Sequence, residues 1–124
     1  MTDLQDLRDY LAALQELGDL RVIDREVAPD MELGATIRLS YERRAQAPLF
    51  TRVAGAEKSR CRVLGAPAAL SATPGKPYAR VALSLGLPAD TQPQQILEHL
   101  AAATGRDPIP PVVVEAGACQ HHQE

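Results

Sequence analysis

Asp3-Leu-Gln-Asp-Leu-Arg-Asp-Tyr-Leu-Ala-Ala-Leu14 and Gly18-Asp-Leu-Arg-Val-Ile-Asp-Arg-Glu-Val27 carry two different periodicities, separated by one stop signal. Leu4, Leu7, Leu11 and Leu14 recur at helical spacing, and Leu17 continues the stripe. Asp3 is the expected N-cap, with Asp6 adding a carboxylate to the first turn. Gln5, Asp6, Arg8, Asp9, Gln15 and Glu16 form the polar face of this amphipathic helix. Gly18 ends it, because glycine takes the positive φ that closes a helix. From Leu20 to Val27, β-branched residues alternate loosely with charges, which predicts a strand with one wet face.

Working outward, Pro29-Asp30 starts a second helix with Asp30 as its cap, and Leu33, Ile37 and Tyr41 share one face. Pro48 forbids its continuation. Leu49–Val53 and Cys61–Leu64 read as short strands around a polar loop at 56–60. Pro67, Pro74 and Gly75 make the next stretch an ordered loop. Pro77 can open a third helix over Tyr78–Leu85, stopped by Gly86 and Pro88. Pro93 opens a fourth, with Ile96, Leu97, Leu100 and Ala103 expected inward. Asp107-Pro-Ile-Pro-Pro111 is held extended, and Val112-Val-Val-Glu115 is an expected strand seeking a partner sheet.

The predicted order is α-β-α-β-β-α-α-β: one small α+β or α/β domain, with about four helices on a short mixed sheet. Residues 1–107 form that domain. Residues 108–124 are expected to be a proline-rich extended segment and a truncated strand, with almost nothing after it to pair with.

Composition narrows the function. The 124 residues are 45% hydrophobic and 23% charged, ordinary for a globular chain with a core of its own. No apolar run approaches a membrane span, and the first residues lack the basic and apolar regions of a secretory signal, so a cytoplasmic location is expected. A net charge of −3 argues against nucleic acid or an anionic membrane as partner. Cys61 and Cys119 are expected as free thiols.

No catalytic motif stands out. His99 is expected on the solvated side of the fourth helix. Cys119, His121 and His122, joined by Cys61 through the fold, are too few and too poorly spaced for a structural metal centre. The carboxylates of Asp24, Glu26, Asp30 and Glu32 fit a wet strand edge and a helix cap. Gly75-Lys76 is followed by Pro77, so there is no phosphate-binding loop. Arg43-Arg44 and Lys58, Arg60 and Arg62 lack the aromatic partners of a nucleic-acid stripe. Catalytic, cofactor-binding and metal residues are therefore expected to be none in this chain.

The order of segments resembles the amino-terminal domain of UbiD-like decarboxylases, the ferulic-acid-decarboxylase type. The resemblance rests on 3–14 with 18–27, Ala47-Pro-Leu-Phe50, Val63-Leu-Gly-Ala-Pro-Ala68, Tyr78–Leu87, Pro108–Val114 and Gly117-Ala-Cys119. It implies non-oxidative decarboxylation of an aromatic or unsaturated carboxylic acid, using prenylated FMN with Mn²⁺ and K⁺ in the full-length enzyme. In that family the flavin, the metal and a Glu-Arg-Glu set lie beyond the segment that this sequence resembles, and neither Arg25 nor Glu26 is assigned to that set. The pattern departs at Gln120, where the family continues through an acidic Gly-Asp-Asp turn into its central flavin-binding domain. The expectation is an N-terminal domain or fragment, structural in role, whose partner is that central domain. The alternative is a free-standing interaction subunit that docks on a separately encoded decarboxylase, with Val112–Val114 pairing in trans.

Overall fold

A computed structural model of the chain describes residues 4, 6–56 and 61–117. Its elements are α1 (Leu7–Glu16), β1 (Leu20–Ile23), α2 (Glu32–Glu42), β2 (Ala47–Phe50), β3 (Val63–Leu64), α3 (Ala79–Ser84) and α4 (Pro93–Ala103). The strands form one mixed sheet in the order β1-β2-β3. β1 runs parallel to β2 in the register Leu20↔Ala47 to Ile23↔Phe50. β3 is antiparallel to β2. This is the α+β architecture expected, with four helices on a three-stranded mixed sheet.

α1 starts at Asp6, whose carboxylate accepts from the Arg8 and Asp9 amides at 2.7 and 3.1 Å. Two free N–H groups are thereby satisfied, and the negative charge suits the helix start. The expected cap, Asp3, lies outside the described residues. The buried side of α1 is also rotated from the leucine stripe: Tyr10 and Leu14 are buried, while Leu7 is exposed. Helical spacing defines an apolar arc roughly 100° wide, but the neighbouring elements choose which edge is covered.

Tyr10, Leu14, Ala47 and Leu83 form the core cluster, with Leu4, Ala13, Leu17, Leu20 and Leu64 packed against it. Strand alternation therefore directs Leu20 and Ala47 to the face covered by α1 and α3, and Arg21 and Pro48 to the opposite face. That second face carries α2. A Cβ on Gly65 would come within 2.6 Å of Ile37 Cγ1 and 2.9 Å of Pro48 Cγ, so glycine permits the close approach of α2. Covered on both faces and paired on both edges, β2 is buried along its whole length. Pro48 sits on this central strand. The Ala47 amide donates toward β1, to Asp19 O, so the Pro48 nitrogen turns toward β3, where pairing stops at Leu64.

Several local expectations are corrected. β1 ends at Ile23, and Val27 makes only an isolated parallel bridge to Val53. β2 begins at Ala47 rather than Leu49. α2 is not capped by Asp30: its N-cap is Met31, at φ 58 and without a side-chain cap bond. Glu32 substitutes by accepting the Ala28 amide at 2.9 Å. α3 is six residues long with Tyr78 as N-cap, so Pro77 precedes the helix instead of opening it. α4 does begin at Pro93, and the Gln92 amide donates to Gln95 Oε1 at 3.0 Å. Only Ile96 of its expected inward residues is buried, while Leu97 and Leu100 are exposed. The expected eighth element is absent: Val112–Glu115 forms no strand, and Val113 is 92% exposed. β-propensity alone does not hold a strand, because its backbone bonds come from a neighbour, and none of the described strands lies alongside.

Candidate functional site

The most deeply buried polar group joins four separate stretches of chain. Asp19 follows the glycine that ends α1, and Arg80 lies in α3; both are fully buried. Arg80 Nε and Nη2 donate to Asp19 Oδ2 and Oδ1, both at 2.7 Å, in the two-pronged geometry suited to a planar guanidinium. Arg80 Nη2 also donates to Ala45 O at 2.7 Å, and Nη1 to Ala66 O at 3.1 Å. Ala66 holds a left-handed backbone at φ 53, which aims its carbonyl inward at a steric cost of ~1 kcal/mol. The Ala72 amide donates to Asp19 Oδ1 at 3.0 Å. The Tyr10 hydroxyl lies 2.9 Å from Pro67 O and 3.2 Å from Arg80 O and shares its proton between them. No buried side-chain polar atom among the described residues is left without a partner.

The electrostatics follow from that wiring. Burial alone would raise the Asp19 carboxyl, but hydrogen bonds from Arg80, Ser71 and the Ala72 amide outweigh it and hold Asp19 below the usual carboxylate value. Burial pushes the Tyr10 phenol up to about 12, with Arg80 opposing and Asp19 reinforcing the rise. The carboxylate and the guanidinium are fully buried and bonded to each other, to Ser71 and to backbone, so neither faces an open site. The group is a structural lock that ties α1, the loop after α2, the loop after β3 and α3 together.

The open surface lies at the other side of the sheet. A groove of about 430 Å³ runs between β1 and α2, lined by Arg21, Asp24, Arg25, Ser40 and Arg43 among others. Arg25 is paired with Glu32. The Ala28 amide and Arg25 draw the Glu32 carboxyl below its ordinary range. Arg21 and Arg43 have no ion-pair partner among the described residues.

The residues weighed from sequence are scattered. His99 is half-buried on α4, beside a separate groove with Leu87, Asp90 and Gln95. Cys61 is exposed and not in a disulfide. Cys119, His121, His122, Lys58 and Arg60 lie outside the described residues. Among the described residues no group of three or more His, Cys, Asp or Glu could hold a metal ion, and no helix is long and apolar enough to cross a membrane. Sequence reasoning missed the Asp19–Arg80 pair. Its signal was an arginine inside the apolar run Ala79-Arg-Val-Ala-Leu83 and an acid directly after a helix-ending glycine.

Comparison with known proteins agrees with this arrangement. Ferulic acid decarboxylase 1 of Saccharomyces cerevisiae is 34% identical over 119 residues, covering 94% of this chain and 24% of its own length. Pyrrole-2-carboxylic acid decarboxylase of Pseudomonas aeruginosa is 40% identical over 117 residues, covering 94% of this chain and 23% of its own. The vanillic acid decarboxylase of Sedimentibacter hydroxybenzoicus, in its open form, superposes with a TM-score of 0.68 at 25% identity, over 90% of this chain and 22% of that one. The chain thus spans about a quarter of the length of the relatives it matches. The N-terminal domain of 3-octaprenyl-4-hydroxybenzoate carboxy-lyase matches residues 11–100, a span that holds the whole sheet, the Asp19–Arg80 lock and the start of α4; the chain belongs to this UbiD N-terminal domain family.

Proposed function

We propose that the chain serves as the N-terminal domain of a larger, cytoplasmic UbiD-type carboxy-lyase, one that decarboxylates an aromatic or unsaturated carboxylic acid. Its role there is structural: it presents a prefolded α+β body to the flavin-binding part of the enzyme. The observation that carries this reading is the extent of similarity, 94% of this chain against 24% and 23% of two decarboxylases. Prenylated FMN with Mn²⁺ and K⁺ would supply an electrophilic ring that accepts electron density as CO₂ departs. The described residues do not fit that group. They offer no cluster of three metal-ligating side chains and no orphaned buried polar atom aimed into a cavity. No step of the reaction is therefore assigned to a residue of this chain.

A chimera tests the reading. The matching N-terminal region of the Pseudomonas enzyme is replaced by residues 1–107 of this chain, and turnover of pyrrole-2-carboxylate is measured. Retained turnover is expected, with none from the 124-residue chain supplied with prenylated FMN and Mn²⁺. A folded, flavin-loaded chimera without turnover would overturn it, as would turnover by the short chain alone. The remaining part of the Pseudomonas enzyme regaining activity only when this chain is added as a separate polypeptide would favour the docking-subunit alternative.

A further inference from the structure

The two edges of the sheet are finished differently. β3 is two residues long and runs into Gly65, and so short an edge offers little to a further strand. β1 forms the other edge. Asp19 O and Ile23 O accept from the Ala47 and Thr51 amides on the β2 side. Backbone groups alternate in direction along a strand, so the N–H and C=O of Leu20, Val22 and Asp24 face away from β2. Proline, lysine and bulges are three common ways of blunting an edge, and β1 has none of them. An edge left in that form is built to be covered.

The groove of about 430 Å³ between β1 and α2 lies along this edge. Val22 and Leu39 both line it, and they are 55% and 43% exposed. Val22 shares the α1 face of the sheet with Leu20, whereas Leu39 belongs to α2 on the other face. A strand laid beside β1 therefore finds apolar surface for both of its own faces. The rim is cationic: Arg21, Arg25 and Arg43 line the groove against the one carboxylate of Asp24. Glu32 neutralises Arg25, while Arg21 and Arg43 keep their charge unpaired among the described residues. Backbone, apolar and charged features thus call for one kind of occupant, an extended segment with apolar and acidic side chains.

Resting on the carboxy-lyase reading, we propose that such a segment, from the remainder of the larger enzyme, adds as a strand to the outer edge of β1. This chain matches 24% and 23% of two decarboxylases, so an enzyme of that kind holds ample further polypeptide beside this domain. Covalent tethering gives that polypeptide a high effective concentration at the edge. Main-chain bonds to Leu20, Val22 and Asp24 fix its register, and Arg21 and Arg43 select its carboxylates. The sheet of this domain is then continued by the part of the enzyme that it supports.

Amide exchange tests this on the chimera that carries residues 1–107 and on the 124-residue chain. The Val22 and Asp24 amides are expected to exchange at least about tenfold more slowly in the chimera. The Thr51 amide, bonded to Ile23 O, is the control that stays protected in both. The Val22 N–H makes no bond to β2, so Val22→Pro spares that ladder. It should speed Asp24 exchange in the chimera at least about tenfold and leave Thr51 unchanged. Arg21→Glu/Arg43→Glu should act in the same direction. An active chimera whose edge amides exchange as fast as in the short chain would overturn the added strand and leave the carboxy-lyase reading standing. A folded, flavin-loaded chimera without turnover would remove that reading, and this proposal with it. Edge amides already protected in the short chain, at any concentration, would also overturn it, since the chain itself or a second copy would then be the occupant. Should the graft not fold, the strand matching β1 is followed in the whole Pseudomonas decarboxylase: slow exchange there supports the proposal, and exchange at the short chain's rate overturns it.

Discussion

Asp19 and Arg80 are charged, lie 61 residues apart and are fully buried. Leu97 and Val112–Val114 are apolar, lie close together in sequence and stand in solvent. The usual preference is inverted in both regions, for opposite reasons. In the body, elements from across the chain converge, so a bidentate ion pair with a partner for every buried side-chain polar atom replaces the water it lost. In the C-terminal stretch, Ile96 is the buried residue of α4, and Val112–Glu115 joins none of the described strands. The contrast separates a finished core from a surface suited to docking: exposed apolar residues gathered in one region mark an interface more often than a packing failure.

The sharpest way to break that contrast is to remove one member of the lock. Arg80→Met is expected to destabilise the body by about 3–5 kcal/mol, because Asp19 would remain buried and unpaired. Urea unfolding followed by circular dichroism measures it. A loss below about 1 kcal/mol would show that water or a neighbouring group reaches Asp19.

A smaller effect comes from alkali. The Tyr10 phenol titrates at about 12 in the folded protein, against 10.0 for the ordinary group. The folded state thus binds this proton more tightly, and its contribution is complete below pH 10 and lost as pH rises toward 12. Two units correspond to about 2.7 kcal/mol. Stability measured at pH 9 and pH 12 should show a loss of that order, and Tyr10→Phe should abolish this limb of the curve. Asp19 behaves oppositely: its folded value lies below the ordinary 3.8, so its contribution persists above that pH and fades only as acid carries the protein below it.

The smallest effect sharpens the comparison from the exposed side. Leu97→Ala should change stability by less than about 0.5 kcal/mol, since 66% of Leu97 is in solvent. Leu14→Ala, at a site with no exposure, should cost about 2–5 kcal/mol. Equal costs in parallel thermal melts would mean that α4 is covered in solution.

Much of the architecture was legible from local pattern. The leucine spacing found α1, Gly18 found its end, and Pro93 found the start of α4. These signals act within a turn or two of backbone, so a short window contains them. Tyr10 was legible only as part of a helix, because its burial depends on where the Pro67 loop and α3 lie. The Asp30 cap failed for a related reason: Met31 adopts a left-handed backbone and Glu32 takes the Ala28 amide instead.

The amino-acid sequence by itself determined the helix and strand segments, the turns at glycine and proline, and membership of the UbiD N-terminal family through segments that keep a common order. Tertiary structure alone decided which side of α1 is covered, that Asp19 meets Arg80, and that the valine run stays out of the sheet. Propensities are properties of neighbours in sequence, whereas burial, ion pairing and strand hydrogen bonds require a second surface that the chain brings close only by folding.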